Sequence, residues 1–277
     1  MKFSLLVVTT NRLRKTERLF HSLAKQSYKN FEVVFVHEEP CIAEAIALGE
    51  KFAGMLDVRV VSVPVCGVSK ARNLGLPLLG GDIAAFPDDD CVYPPDTLYR
   101  IAEFFYENPG VDVLLAGRAA LTDAPTGSAE HGAPQAINRY ALVGCTETFL
   151  QFYRKRCVET TGAFDERLGM GSGLPYGCGE DTDYALRAAQ AGFTVVRASW
   201  IVVRHPQEDM DSPALAAKVA SYARGRMYLL RKHAFPLWFC LANIAYPLLR
   251  LPMELARHGY KALPYRMRMF YFRLTSL

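Results

Sequence analysis

The sequence predicts an α/β protein, a mostly parallel sheet flanked by helices, followed by a basic helical C-terminal segment. Three observations carry this reading. Short β-rich apolar runs alternate with amphipathic stretches through the first half, the pattern of successive βαβ units. The composition is globular: 277 residues, 51% hydrophobic and 22% charged, enough to bury a sizeable core. Charge is also divided along the chain. Residues 218–277 hold eleven Lys and Arg against one acid, Glu254, whereas the first 217 residues hold 21 bases and 27 acids. A net +10 segment behind a net −6 body points to a polyanionic partner.

The elements follow in order. Phe3–Val8 and Phe31–Val36 read as strands, with a helix over Thr16–Lys25 that turns Leu19, Phe20 and Leu23 inward. Ala43–Gly54 reads as a helix, Val58–Val63 as a strand, Ser69–Leu79 as a helix and Ile83–Phe86 as a strand. Pro95–Asn108 is a helix with Asp96 in its first turn, where a negative charge suits the dipole. Leu121–Pro134 and the glycine-rich Phe164–Gly179 read as loops, the second a mobile one, and Glu180–Ala191 as a helix stopped by Gly192.

The seven cysteines are scattered and form no CxxC pair, which argues against a zinc site or disulfide framework and for a reducing compartment. A mean hydropathy of +0.05 excludes a polytopic membrane protein. The opening apolar run is too short for a signal-peptide core. Ala234–Leu249 is almost uncharged and contains Pro236 and Pro247, so it falls short of the ~20 apolar residues that span a bilayer. Behind it, Arg257–Arg273 interleaves bases with Tyr260, Tyr265, Phe270, Tyr271 and Phe272. That pattern suits an anionic membrane surface. It also serves single-stranded nucleic acid, but the adjoining apolar run favours lipid. A core helix over Ala234–Leu249 is the remaining alternative.

The chemistry concentrates in a few motifs. Ala84-Ala85-Phe86-Pro87-Asp88-Asp89-Asp90 sets three carboxylates directly after an apolar run. Like charges crowd there, and a divalent cation relieves them; hard oxygens suit Mg²⁺ or Mn²⁺, leaving positions for phosphate oxygens. The competing reading is a solvated acidic turn. In either case, removing Asp90 is expected to relieve repulsion and spare the fold. Gly67-Val68-Ser69-Lys70-Ala71-Arg72-Asn73-Leu74-Gly75 is a glycine-led turn into a helix whose Lys70 and Arg72 can face a diphosphate. Gly179-Glu180-Asp181-Thr182-Asp183 opens another helix with three acids, which serve as caps or leave one free as a base. Val202-Val203-Arg204-His205-Pro206 ends a strand-like run on a histidine that is either structural or a ligand.

Together, these motifs in this order resemble the family 2 glycosyltransferases, inverting enzymes of the GT-A fold, from Phe3 to about His233. Ser4-Leu5-Leu6-Val7-Val8-Thr9-Thr10-Asn11-Arg12 is similar to the family's first strand and turn, with Thr10 in place of the usual tyrosine. Gln26-Ser27-Tyr28-Lys29-Asn30-Phe31-Glu32-Val33 is similar to its lead into strand two. Ala71-Arg72-Asn73-Leu74-Gly75, Asp88-Asp89-Asp90, Gly162-Ala163-Phe164-Asp165-Glu166 and Gly179-Glu180-Asp181-Thr182-Asp183 resemble its later motifs.

The resemblance implies a catalytic domain over residues 1–217, with a nucleotide-sugar half to about 110 and an acceptor half beyond it, ahead of the 218–277 segment. It implies a UDP-, GDP- or dTDP-linked sugar as donor, held by Thr9, Asn11, Arg12, Glu38, Lys70, Arg72, Asp88 and Asp89. It implies Mg²⁺ or Mn²⁺ on Asp90, with His205 near the metal, and Asp181 as the base that deprotonates the acceptor. One departure stands out: the family's usual Asp-Asp after strand two is here His37-Glu38. The expected activity is hexosyl transfer to a glycan or lipid-linked glycan in cell-surface polysaccharide or glycolipid synthesis, peripherally at the cytoplasmic membrane face. A sugar nucleotidyltransferase would show a glycine-rich loop after strand one, but Thr9–Lys15 has no glycine. A non-catalytic membrane-associated nucleotide-sugar-binding protein is the third reading.

Overall fold

The computed structural model describes residues 1–10, 12–39, 42–123, 132–207 and 213–277. Asn11 and most of the Leu121–Pro134 loop lie outside the described residues. The strands are β1 (Phe3–Thr9), β2 (Phe31–Glu38), β3 (Val58–Val63), β4 (Ile83–Ala85), β5 (Val113–Ala119), β6 (Gln135–Ala136), β7 (Gln151–Arg154) and β8 (Val195–Arg204). They form one sheet in the order β3-β2-β1-β4-β7-β5-β8-β6. β1 to β4 pair in parallel, as does β5 with β8. β7 runs antiparallel between β4 and β5, pairing Tyr153 with Ala84 and Phe152 with Leu114.

Helices cover both faces because β1 and its neighbours are apolar on both sides, as buried parallel strands must be. The period-2 alternation divides them into two cores. Leu5, Val7, Val33 and Phe35 face one layer with Phe20 of α1 (Leu13–Ala24) and Phe52 of α2 (Ile42–Phe52). Leu98, Ile101 and Phe105 of α4 (Thr97–Glu107) close the same layer at helical spacing. Leu6, Val34 and Val36 face the other layer with Ala71 of α3 (Val68–Gly75). α5 (Arg139–Cys145), α6 (Lys155–Thr161) and α7 (Glu180–Gln190) also lie on that side, through Leu142, Cys157 and Tyr184.

The basic C-terminal segment forms α8 (Pro213–Lys232), α9 (Leu237–His258) and α10 (Ala262–Leu274). It is built into the body: Met227, Leu229, Leu230, Phe235, Cys240 and Ile244 belong to the second core layer. α9 carries Pro247 and Pro252 inside it. Among the described residues, no helix is long and apolar enough to cross a membrane.

Candidate active site

The ends of β1, β2 and β4, the start of α3 and the start of α7 surround one open cleft of about 820 Å³. Parallel strands deliver their C-terminal ends to one edge, where ligands of open α/β sheets collect. The three aspartates sit at this edge, each with its own partners. Thr9 donates to Asp89 Oδ2 at 2.5 Å, and Arg12 lies 3.3 Å from Asp89 Oδ1 and 3.5 Å from Asp90 Oδ2. Lys15 reaches Asp90 Oδ2 at 3.1 Å, and Arg72 approaches Asp88 at 3.5 Å. His205 Nε2 is 2.9 Å from Asp90 Oδ1 and 3.8 Å from Asp88. Like-charge crowding, the reason to expect a cation, is thus already answered by Arg12, Lys15, Arg72 and His205.

These partners set the protonation of the triplet. Burial pushes Asp88 up to about 6 against the pull of Arg72 and His205. Asp89 is also raised by burial, against Arg12 and Thr9. Burial works the same way on Asp90, but His205 and Lys15 outweigh it and hold the carboxyl well below the usual range. His205 is raised in turn, because Asp90 overcomes the lowering effect of burial. Phe149 stacks on its ring at 4.5 Å. Nδ1 lies 2.8 Å from the Pro206 carbonyl, so Nδ1 donates there and Nε2 is aimed at Asp90.

Glu38 closes the β2 side. It is buried, and its Oε1 accepts from the backbone N–H of Cys66 at 2.8 Å and of Gly67 at 2.7 Å, while Thr10 donates to Oε2. Burial raises its pKa, but these hydrogen bonds prevail and keep it below the ordinary value. Gly67 must be glycine: its φ is +86°, and a Cβ there would come 2.5 Å from the Gly171 backbone. The glycine-rich loop is seated on this turn. Val68 N–H donates to Met170 O at 3.0 Å, and Ser69 Oγ to Leu168 O at 2.6 Å. Asn73 brackets Phe164, accepting from its N–H at 2.7 Å and donating to its carbonyl at 3.0 Å.

Asp181 stands at the far wall, in the first turn of α7. Burial first, and the neighbouring Glu180 second, push it up to about 7, although Thr182 N–H and Arg72 favour its ionised form. Glu180 itself holds Arg72 at 3.2 Å. α8 backs this wall. Gly225 lets the helix approach, since a Cβ there would meet the Cys178 carbonyl at 2.6 Å, and Lys218 and Tyr222 line the cleft. Two residues past Asp181, the buried Asp183 binds Lys232, His233 at 2.8 Å and Arg187 at 2.9 Å, locking the end of α8 to α7.

The sequence model of glycosyl transferase family 2 matches residues 4–157, more than half of the chain. The chain belongs to glycosyl transferase family 2. Poly(ribitol-phosphate) beta-N-acetylglucosaminyltransferase TarS of Staphylococcus aureus is 32% identical over 118 residues, 42% of this chain and 20% of TarS. An uncharacterized glycosyltransferase of Haemophilus influenzae is 26% identical over 111 residues, 40% of this chain and 37% of that protein. The amylovoran biosynthesis glycosyltransferase AmsB of Erwinia amylovora is 29% identical over 103 residues, 36% of this chain and 34% of that protein. The matched regions therefore span well under half the length of these relatives. The structure of TarS residues 1–349 with UDP-GlcNAc superposes with a TM-score of 0.64 at 19% identity, covering 99% of this chain and 92% of that one. Mannosyltransferase PcManGT from Pyrobaculum calidifontis, with GDP-Man and Mn²⁺, gives 0.66 at 16% identity, covering 99% and 85%. These likenesses show the GT-A fold.

Within this family 2 cleft, Thr9, Arg12, Glu38, Arg72, Asp88, Asp89, Asp90, Asp181 and His205 come together. Lys70 does not: it is exposed on α3 and is not among the cleft-lining residues. Asn11 lies outside the described residues. Among the described residues, no group of three or more His, Cys, Asp or Glu side chains is placed to hold a metal. Sequence reasoning missed Lys15, Glu180 as the partner of Arg72, and Lys218. Lys15 left a signal, since Arg12 and Lys15 are one helical turn apart directly after β1. Lys218 left none, because nothing local says that α8 returns to the cleft.

Proposed function

We propose that this family 2 protein is an inverting hexosyltransferase. It moves a sugar from a nucleoside-diphosphate donor to an acceptor hydroxyl in cell-surface polysaccharide or glycolipid synthesis. The observation that carries the reading is Asp181, raised to about 7, sharing one cleft with Arg72 and the Asp88-Asp89-Asp90 edge. A base whose pKa lies near the working pH is part-ionised, yet still basic enough to accept the acceptor proton. TarS taking UDP-GlcNAc and PcManGT taking GDP-Man support a nucleotide-sugar donor here. The name of AmsB supports a polysaccharide context.

In this reading Glu38 fixes the Cys66–Gly67 turn beside the nucleotide, and Thr9 orients Asp89 toward it. Arg72 is buried between Asp88 and Glu180, so its charge is preset where the diphosphate would leave. The acceptor oxygen attacks the anomeric carbon as the diphosphate departs, and Asp181 takes the acceptor proton. One displacement inverts the centre. Asp90 and His205 would suit a divalent ion, a hard oxygen beside an imidazole; the Nδ1–Pro206 bond fixes the ring, and Nε2, here paired with Asp90, would exchange its proton for the ion. Two protein donors leave the remaining positions to diphosphate oxygens, and the ion would neutralise leaving-group charge.

The test is hydrolysis or transfer of UDP-GlcNAc and GDP-mannose followed by proton NMR. Asp181→Asn should retain donor binding and lower kcat by about 10²–10⁴-fold. The first-formed product should carry the anomeric configuration opposite to the donor. Retained configuration, or full activity in the variant, overturns the mechanism; conversion of the donor to nucleoside triphosphate and sugar 1-phosphate on adding pyrophosphate would instead mark a nucleotidyltransferase.

A further inference from the structure

We propose that the outer faces of α9 and α10 form a docking surface for an anionic lipid bilayer, on which the protein lies without crossing it. From Leu237 to Leu249, α9 contains no charged residue, yet much of it faces solvent. Trp238 is 61% exposed and Leu249 is 74% exposed, with Leu241 and Tyr246 exposed between them at helical spacing. On α10, Met267, Tyr271 (58%) and Leu274 repeat the pattern, and Tyr260, 87% exposed, stands in the turn between the two helices. A helix packed on a water-soluble body normally turns polar residues outward, and a continuous apolar stripe marks a surface that another phase or molecule covers.

The chemistry of the stripe selects lipid. Trp and Tyr, amphipathic rings suited to headgroup depth, recur along it. The only acid after Lys218, Glu254, is buried and held by Arg266 at 2.7 Å and Arg250 at 3.4 Å. Residues 218–277 therefore turn no exposed acidic side chain toward an anionic surface, and the bases not engaged within the body face it unopposed. Meeting a second copy through the same face would instead bring two basic segments together. The structure also divides the driving forces differently from the sequence. Arg226 and Arg273 are spent on the carbonyls of Val143 and Asn243, Lys232 on Asp165 and Asp183, and Arg231 on the C-terminal carbonyls. Apolar insertion thus carries attachment, and charge selects the lipid.

This surface is keyed to the cleft. Asp183 grips Lys232 and His233 immediately before α9, and α8 carries Lys218 and Tyr222 to the cleft wall.

The test is vesicle sedimentation of the full-length protein, on phosphatidylcholine with and without phosphatidylglycerol. The comparison is a variant combining Trp238→Ser, Leu241→Ser, Leu249→Ser and Tyr271→Ser, all at exposed positions. Wild type should bind the anionic vesicles, and the variant should lose at least roughly tenfold in partitioning while keeping its thermal midpoint. High salt should weaken wild-type binding without abolishing it. In a Trp200→Phe background, Trp238 emission should shift to the blue on adding vesicles, which reads insertion without relying on the multiple variant. Equal partitioning of both proteins, no preference for anionic lipid, or unshifted emission overturns the proposal. So does a dimer by light scattering that the variant turns into a monomer, which would assign the face to a second copy. None of these readouts depends on sugar transfer, so failure here leaves the proposed activity standing, and the converse.

Discussion

Replacing Glu180 by Gln should move the acidic limb of the kcat/KM profile, which reports the free enzyme, downward. Asp181 sits at about 7 rather than the ordinary 3.8, through burial and then Glu180. Such a shift corresponds to about 4 kcal/mol against the ionised form. Glu180→Gln removes the like charge and also frees Arg72, now 3.2 Å from Glu180, to favour ionised Asp181. Both effects lower the pKa, and about one unit is the expected drop, since burial persists. A base is lost as pH falls through its pKa. At about pH 6 the ionised fraction of Asp181 should rise from about 9% to about 50%, a roughly fivefold gain relative to each enzyme's own plateau. At about pH 8 the normalised rates should differ by less than about 10%. Normalising matters because the substitution also loosens Arg72. The assay is initial-rate nucleoside-diphosphate release at donor concentrations well below KM across pH. A limb that stays put or moves upward refutes this account of Asp181, as does a wild-type limb at the ordinary aspartate value.

Asp90→Ala should lower stability by about 2 kcal/mol in urea unfolding, because it strips His205 and Lys15 of their partner; this reverses the sequence expectation of relieved repulsion. Gly67→Ala should destabilise by roughly 2 kcal/mol or more and raise donor KM, since the Cβ meets Gly171 and dislodges the glycine-rich loop. A variant with unchanged melting and KM would contradict that packing. Asp183→Ala should cost about 3–5 kcal/mol by thermal melting, because it leaves Lys232 and Arg187 beside a vacated buried site.

The N-terminal half was legible because its signals are local. β1, β2 and β3 appear where apolar periodicity put them, and Asp88-Asp89-Asp90, Arg72 and Asp181 stand at one cleft. The helix expected over Ser69–Leu79 stops at Gly75, and a 3-10 turn over Leu76–Leu78 follows, because Pro77 cannot continue it. β7 was invisible: four residues carry no periodicity, and its antiparallel place between β4 and β5 is a tertiary fact. The Phe164–Gly179 loop was read from glycine content as mobile, but its partners Gly67, Ser69 and Asn73 lie about a hundred residues upstream. Charge counting over residues 218–277 treated the bases as a free field, whereas backbone carbonyls and buried acids take up several of them. Composition cannot tell a solvated arginine from one that staples a helix.

The central claim is that this cleft holds a nucleoside diphosphate between Arg72 and the aspartate edge, and calorimetry tests it most directly. UDP-, GDP- and dTDP-sugars would be titrated into the full-length protein with and without Mn²⁺. The account predicts that at least one binds, that Mn²⁺ tightens it through Asp90 and His205, and that Arg72→Ala abolishes the heat while melting as a folded protein. Binding that ignores Mn²⁺ would contradict the metal assignment, and binding that survives Arg72→Ala, or no binding by any donor, would contradict the claim itself.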